Sequence, residues 1–143
     1  MGPLGLKYSQ RNNMTDPIAA MINEIYNAGQ VRKETVVLSY SKLKMAILDV
    51  LAKAGFIKGA TKKGKKVIKY IEVTLAYESD GSPKIRGVKR VSKSSKRVYI
   101  KATEIRPVKN GYGIMVISTP KGVISDEVAR KEKVGGEALC TLW

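Results

Sequence analysis

The chain has 143 residues, 43% of them hydrophobic and 27% charged, which suits one compact domain or two small packed subdomains and excludes a wholly disordered chain. Its single cysteine and its lack of histidine exclude an internal disulfide and leave a zinc site almost without ligands. Lysine and arginine number 27 against 12 acidic residues, which gives a net charge of +15. Contacts between cations and phosphates release condensed counterions and so drive binding. The charge therefore favours a nucleic-acid partner over the alternative of a merely basic soluble protein.

The first predicted helix begins after a short leader. Residues 1–13 lack the apolar core of a signal peptide, and they are either a native extension or a cloning remnant, since Met14 looks like a natural start. Thr15 or Asp16 can cap the free N–H groups of a helix whose first position suits Pro17. Apolar residues then recur at helical spacing, and Gly29 is expected to end the helix.

The rest of the first half alternates between strand and helix signals. Apolar residues at period two predict strands, and apolar residues on one face predict a helix. The predicted elements are a strand at 31–39, a helix from Ser41 to Gly55, and hairpin strands at 56–61 and 67–77 around a lysine-rich tip at 62–66. Together they predict an N-terminal α+β domain at residues 14–78.

A polar, turn-rich segment at 78–83 is the best boundary candidate, and the pattern beyond it is mostly β. The predicted elements there are short strands at 85–91, 98–101, 113–118, 122–124 and 138–143, a helical turn at 103–105, a turn at Asn110 and Gly111, and a brief helix to Lys131 capped by Ser125 or Asp126. Residues 84–143 therefore form a predicted C-terminal domain. The fold class is α+β, with two small packed subdomains, the second mostly β with a short helix.

Residue usage argues against catalysis. Without histidine, nucleophile–base pairs would have to be built from serine, lysine or carboxylates, and Asp126 and Glu127 are explained by favourable charge at a helix start. The lysine-rich tip lacks the spacing of a P-loop. No apolar run reaches the roughly 18 residues that a membrane span needs. We therefore predict a non-enzymatic, intracellular protein with no cofactor, no metal and no membrane partner.

The charge is concentrated in the middle of the chain. Residues 58–109 hold 16 lysines and arginines against four acidic residues. Lys62 and Lys63 in the predicted tip can contact phosphates, although a simple solvated turn is an equally good reading. Tyr99, set within a basic stretch at 86–101, can stack on an exposed base, and a structural strand tyrosine is the alternative.

A third group of residues is nearly neutral. Ser118, Thr119, Pro120, Lys121 and Gly122 follow a buried strand, and Gly135, Gly136 and Glu137 follow the last predicted helix. Double-stranded RNA presents a wide, shallow minor groove lined with 2′-hydroxyls. Small hydroxyl side chains and bare backbone N–H groups can reach that surface, and adjacent glycines allow close approach. By itself the signal is weak, since a serine and threonine at a strand end more often form a turn.

The motifs of the chain resemble those of a known family. Residues 113–130 read GIMVISTPKGVISDEVAR and residues 135–140 read GGEALC, which is similar to the carboxy-terminal signature of the bacterial-type small-subunit ribosomal protein eight family, the universal S8 family. Shorter pieces agree in the same order: DPIA at 16–19, SKLKMAI at 41–47, GFI at 55–57, RVS at 90–92 and RVY at 97–99. The resemblance covers residues 14–143.

The resemblance implies two packed α+β domains that bind an irregular helix in the central domain of small-subunit rRNA. It implies that Ser118 and Thr119 meet the RNA minor groove, that Tyr99 approaches an irregular nucleotide, and that the hairpin reaches phosphates. The full set of predicted RNA-binding residues is Ser118, Thr119, Lys121, Gly122, Tyr99, Gly135, Gly136, Glu137, Lys58, Lys62, Lys63, Arg90 and Arg97. Many members carry another serine where this chain has Pro120, which removes a hydroxyl and an N–H.

The implied partners are small-subunit rRNA and neighbouring small-subunit ribosomal proteins, and the implied location is the ribosome of the cytoplasm or of an organelle. The resemblance also implies that the protein could repress translation of its own operon messenger RNA through the same surface. A generic, non-ribosomal binder of double-stranded RNA is the competing hypothesis, because it would share the basic charge.

Overall fold

In the computed structural model, the described residues 16–143 form three helices and eight strands. The elements are α1 (Pro17–Gln30), β1 (Thr35–Ser39), α2 (Lys42–Lys53), β2 (Ile57–Gly64), β3 (Lys69–Leu75), β4 (Val88–Arg90), β5 (Tyr99–Ile100), β6 (Ile114–Thr119), β7 (Gly122–Ser125), α3 (Asp126–Glu132) and β8 (Gly136–Leu142). Short 3₁₀ turns occur at Ala102–Glu104 and Lys109–Gly111. None of the helices described here is long and apolar enough to span a membrane.

The first sheet is antiparallel, with strand order β1-β3-β2. The two long helices begin at capping residues, because Asp16 accepts a hydrogen bond from the Ala19 N–H at 3.1 Å and Ser41 accepts one from the Lys44 N–H at 3.0 Å. Such caps satisfy N–H groups that have no partner within the helix. The alternative cap, Thr15, lies outside the described residues, as does the leader at 1–13.

The second sheet is also antiparallel and has the order β4-β8-β6-β7, with β5 pairing beside β4 on the same side of β8. Helix α3 is capped by Ser125, whose hydroxyl accepts from the Val128 N–H. Acidic residues in its first turn and basic residues in its last complement the helix dipole. The predicted α+β class, with a mostly β second part and a short helix, is therefore confirmed.

One continuous core joins the two sheets. Buried residues of α1, α2 and β3 cluster with Val116, Leu139, Cys140 and Leu142 of the second sheet. A separate small cluster of Ile105, Ile117 and Ala129 lies under α3. Residues 78–83 stay the proposed boundary between the subdomains, and apolar packing crosses this boundary.

The end of α1 differs from the prediction. Gly29 is buried inside the helix, and a Cβ there would lie 3.4 Å from Cβ of Pro83. The helix continues to Gln30, and the chain reverses at Arg32 with φ of 58°. Gly29 thus permits close packing rather than ending the helix, and this is why β1 begins at Thr35 instead of 31.

The hairpin tip also differs. Lys62 and Lys63 lie within β2, not at the tip, and the turn is formed by residues 65–68. Gly64 has φ of 105°, and a Cβ there would lie 2.1 Å from the carbonyl oxygen of Ile68. Only glycine tolerates both conditions, so the bend is fixed two residues later than the pattern of apolar residues suggested.

Candidate nucleic-acid interface

Three predicted site residues lie in one row across the second sheet. Tyr99 of β5 pairs with Glu137 of β8, and Glu137 pairs with Ser118 of β6. Directly paired residues of neighbouring strands place their side chains on the same face, with Cβ atoms about 5 Å apart. The row therefore presents a phenol, a carboxylate and a hydroxyl along one line. Tyr99 is 71% exposed, so its ring is open to a partner.

Gly135 and Gly136 hold the strands close together beside this row. A Cβ on Gly136 would lie 2.1 Å from the Ser118 carbonyl oxygen, and one on Gly135 would lie 2.4 Å from the Ile100 carbonyl oxygen. Both distances are too short for a real side chain, so a larger residue would push β8 away from its neighbours. The glycines have this packing role whether or not RNA approaches them, and the RNA contact predicted for them stays a prediction.

Glu137 is held by a small hydrogen-bond network. The hydroxyl of Ser92, a fully buried residue, donates to Oε2 of Glu137 at 2.5 Å and accepts from the Val98 N–H at 3.2 Å. The Arg97 guanidinium donates to the same carboxylate oxygen at 3.0 Å. The hydrogen bond from Ser92, with help from Arg97, keeps the pKa of Glu137 below its usual value although partial burial opposes this. Glu137 is therefore ionised near neutral pH, and it attaches the loop at residues 91–98, called the basic loop below, to β8.

The hydroxyls of Ser118 and Thr119 have different environments. Thr119 is 9% exposed, and its Oγ1 donates to the Gly122 carbonyl at 2.8 Å and accepts from the Lys121 N–H at 3.1 Å. Those bonds close the turn between β6 and β7. Ser118 is half-buried, and no residue within 16–143 hydrogen-bonds its hydroxyl. Thr119 therefore stabilises the turn, and of these two hydroxyls only that of Ser118 is open to a ligand.

The turn after Thr119 also accounts for Pro120. Pro120 and Lys121 are the two central residues between paired Thr119 and Gly122, and the fixed φ of proline suits the first central position of a turn. Gly122 has φ of 119°, which favours glycine. Lys121 is exposed, and its ammonium lies 3.9 Å from a carboxylate oxygen of Glu132. The residues of this segment shape a tight turn at the edge of the row.

The predicted hairpin lysines are partly engaged within the protein. The Lys62 ammonium lies 4.5 Å from the centroid of the Tyr40 ring, a cation–π distance. Lys63 donates to Oε1 of Glu72 at 2.8 Å, and this hydrogen bond raises the pKa of the Lys63 ammonium. Lys58 is exposed at an irregularity in the pairing of β2. All three cations lie on one strand, separate from the Glu137 row.

One groove is lined by a residue that contacts the hairpin and by another that contacts the row. Tyr40, Lys44 and Arg97 all line it. Because Lys62 lies over Tyr40 and Arg97 contacts Glu137, cations border the path from the hairpin to the second sheet. Through these two contacts the groove borders Lys62 of the hairpin and Glu137 of the row.

Arg90 is a predicted site residue that also lines this groove, but its side chain is engaged within the protein. Its side chain is 9% exposed, its Nε donates to Asp16 Oδ1 at 3.0 Å, and its Nη1 donates to the Leu139 carbonyl. The guanidinium therefore ties β8 to the start of α1. We leave Arg90 out of the proposed RNA contact, because its side chain is mostly buried and is held by Asp16 and by the Leu139 carbonyl.

Sequence reasoning missed Ser92 and Tyr40. Ser92 stands in a loop with Ser94 and Ser95, and nothing in the sequence separates the buried serine from the exposed ones. Tyr40 directly precedes the capping Ser41, and a tyrosine between a strand and a lysine-bearing helix was a usable signal. No group of three or more acidic or cysteine residues suited to a metal ion occurs within residues 16–143.

Comparison with known proteins gives one family. The sequence model described as "Ribosomal protein S8" matches residues 16–143. The chain is 44% identical over 132 residues to "Small ribosomal subunit protein uS8" of Chloroflexus aggregans, which covers 92% of this chain and 99% of that protein. It is 46% identical over 131 residues to the protein of the same name from Syntrophus aciditrophicus, with 91% and 98% covered. The protein of that name from Helicobacter pylori strain Shi470 is 42% identical over 130 residues, with 91% and 99% covered.

Proposed function

The chain belongs to the ribosomal protein S8 family, so its role is that of a ribosomal structural protein, and we propose that it performs this role by binding an irregular helix in the central domain of small-subunit rRNA. In this proposal the protein stabilises that helix during assembly and then remains in the subunit beside other small-subunit proteins. The surface that binds is the row of Tyr99, Glu137 and Ser118 on the second sheet.

The observation that supports this proposal is the row itself. Double-stranded RNA exposes 2′-hydroxyls in a wide, shallow minor groove, and the open hydroxyl of Ser118 is short enough to reach them. Glu137 keeps lone pairs that can accept a hydrogen bond from a ribose or an exocyclic amine. Tyr99, 71% exposed, can stack only on a base that has left the helical stack. The combination therefore favours a helix with an unpaired or bulged nucleotide over a regular duplex.

Affinity and specificity come from different residues in this proposal. The cations along the groove and on β2 contact phosphates, which supply salt-dependent affinity without sequence information. The row supplies the choice of site. A generic double-stranded RNA binder would need only the first of these, and it would bind any duplex of sufficient length.

Chemical footprinting on small-subunit rRNA tests the proposal. The wild-type protein should protect one local segment of the central domain, and Tyr99→Ala combined with Ser118→Ala should lose that protection while it retains weak, uniform binding. Loss of one stacked base costs about 1–3 kcal/mol. Ser95→Ala is the matched control, because Ser95 is exposed in the basic loop but outside the row. Uniform protection of all duplex RNA by the wild-type protein would favour the generic binder.

The same surface would bind any messenger RNA that folds into a similar irregular helix. Repression of the protein's own operon is therefore a second proposed activity, and it depends on the same row. In a reporter that carries the leader of the cognate operon, excess wild-type protein should lower expression and the Tyr99→Ala, Ser118→Ala variant should not. Equal expression with and without excess protein would exclude the regulatory activity.

A further inference from the structure

We propose that the opposite end of the second sheet carries a second RNA contact, at which Tyr112 and Arg86 bind an unpaired nucleotide. This proposal rests on the proposed function, since it concerns the same RNA partner. It assigns a role to a basic, aromatic surface that the row of Tyr99, Glu137 and Ser118 does not use.

The two contacts lie at opposite ends of the same strands. Ser118 and Glu137 are near the end of β6 and the start of β8, whereas Gly113 precedes β6 and Trp143 follows β8. A strand rises about 3.4 Å per residue, so the five steps from Gly113 to Ser118 separate the two ends by roughly 17 Å. One nucleotide cannot occupy both positions.

The second surface is built around a fixed aromatic ring. The Trp143 carbonyl accepts from the N–H groups of Arg86 and Gly87, and the Trp143 N–H donates to the Gly87 carbonyl. A Cβ on Gly87 would lie 2.4 Å from the indole ring, so that ring lies directly against the Gly87 backbone. The Lys109 ammonium lies 4.7 Å from the ring centroid. The indole is therefore held in place, and it forms one side of the second surface.

Tyr112 lies near the Trp143 indole and is 85% exposed. It shares a groove with Trp143, Arg86 and Lys109. The preceding loop has three successive residues with positive φ, namely Lys109 at 49°, Asn110 at 56° and Gly111 at 95°. Such conformations are disfavoured in residues other than glycine and cluster at ligand-binding segments. The loop directs the chain so that a large aromatic ring is presented to solvent.

The charges of the groove favour an anion. Lys84, Arg86 and Lys109 line it against a single acidic side chain, Glu78. Glu78 pairs with Lys84 at 3.0 Å, and Lys109 lies over Trp143. Within residues 16–143 no acidic side chain pairs with Arg86. An exposed guanidinium with five donors and no internal partner suits a phosphate.

An open aromatic ring beside a guanidinium matches an unpaired nucleotide, which offers a flat base and a phosphate at close range. An acidic protein segment could satisfy Arg86, but its carboxylates would leave the face of Tyr112 without a partner of comparable area. The observations therefore favour RNA. With contacts at both ends of the sheet, the protein would hold two RNA segments at a fixed separation.

Footprinting with the full chain on naked small-subunit rRNA tests this proposal. Tyr112→Ala combined with Arg86→Gln should lose protection of a second segment and retain protection of the segment that depends on Tyr99 and Ser118. We expect affinity to fall about tenfold, as for the loss of one stacked base and one phosphate contact. Lys131→Gln is the control for the loss of one charge, because Lys131 is exposed on α3 and lines neither surface. Both altered residues are exposed, so thermal unfolding should stay close to that of the wild-type protein.

The outcomes separate the two proposals. Unchanged protection and affinity in the Tyr112→Ala, Arg86→Gln variant, alongside lost protection in the Tyr99→Ala, Ser118→Ala variant, would overturn the second contact and leave the proposed function intact. The Tyr112→Ala, Arg86→Gln variant could instead bind naked rRNA normally and fail only when other small-subunit proteins are added. That result would assign the surface to a protein partner and would also overturn the RNA contact. Absence of any local protection by the wild-type protein would overturn both.

Discussion

The hydroxyl of Ser92 donates a hydrogen bond to the carboxylate of Glu137, 45 positions later in the chain, and so attaches the basic loop to the central strand of the second sheet. Neither residue needs to contact RNA for this bond to matter. It helps to set the position of Arg97, which lies later in the same loop, and of Tyr99, which begins β5.

Replacing Ser92 with alanine should therefore weaken RNA binding through loss of position. The change leaves the part-buried Val98 N–H without its acceptor and removes one donor from Glu137, which should lower the free energy of unfolding by about 1–3 kcal/mol. Chemical unfolding and footprinting on the same variant measure the two effects. Ser95→Ala is the control, and equal behaviour of the two variants would show that the buried bond does not position the loop.

Ser118→Ala and Thr119→Val should have separable effects. Ser118→Ala should reduce the preference for the irregular helix over a regular duplex and leave stability unchanged, because its hydroxyl has no partner among the described residues. Thr119→Val should lower stability by about 1–2 kcal/mol, since it breaks the bonds that close the β6–β7 turn. Competition binding and thermal unfolding of both variants check this. A change of stability in the serine variant alone would reverse the assignment.

The hairpin lysines should differ in their contribution to salt dependence. Lys65→Gln with Lys66→Gln should reduce the slope of log affinity against log salt by about 1.5, roughly one phosphate contact per residue. Lys62→Gln with Lys63→Gln should reduce it less, because Lys62 lies over Tyr40 and Lys63 pairs with Glu72. Binding measured at several salt concentrations decides the matter. Identical slopes for the two pairs would mean that the internal contacts open when RNA binds.

The pair of Arg90 and Asp16 should contribute to stability rather than to RNA binding. Arg90→Gln should lower the free energy of unfolding by about 1–3 kcal/mol, because it removes hydrogen bonds of a charged donor to the part-buried Asp16 and to the Leu139 carbonyl. Asp16→Asn separates two roles, since asparagine still caps α1 but carries no charge. We expect Asp16→Asn to be destabilised as well. A melting temperature equal to wild type would show that Asp16 acts only as a cap.

Cys140 should be inert in the folded protein. Burial in the shared core raises the pKa of its thiol to about 12, so almost no reactive thiolate exists near pH 8. A thiol reagent should label the native protein far more slowly than the protein in denaturant. Rapid labelling without denaturant would indicate that β8 separates from the core on the time scale of the reaction.

The order and type of most elements follow from local patterns in the sequence. Asp16 and Ser125 act as predicted helix caps, and the second helix begins at Ser41 as predicted, because a capping bond depends only on residues within one turn. The misplaced features depend on distant contacts instead. Gly29 lies one residue before the end of α1 with Pro83 beside it, and Arg90 pairs with Asp16 from a distant part of the chain.

The candidate site was predictable in its residue types but not in its arrangement. Tyr99, Ser118 and Glu137 are each predicted RNA-binding residues. Their alignment in one row, however, depends on the register of three strands from separate parts of the chain. Thr119 is equivalent to Ser118 in the sequence pattern, but the β6–β7 turn uses the Thr119 hydroxyl. No local signal in the sequence distinguishes these two neighbours.

Strand β8 lies at the centre of the second sheet, between β6 and the pair of β4 and β5, and it is the last of the described strands to be synthesised. Domains form from the amino-terminal side as the chain emerges. The first sheet can therefore assemble while the second still lacks its central strand. The row of Tyr99, Glu137 and Ser118 cannot exist until β8 arrives. If the row binds RNA as proposed, a nascent chain cannot engage RNA through it before β8 has been made.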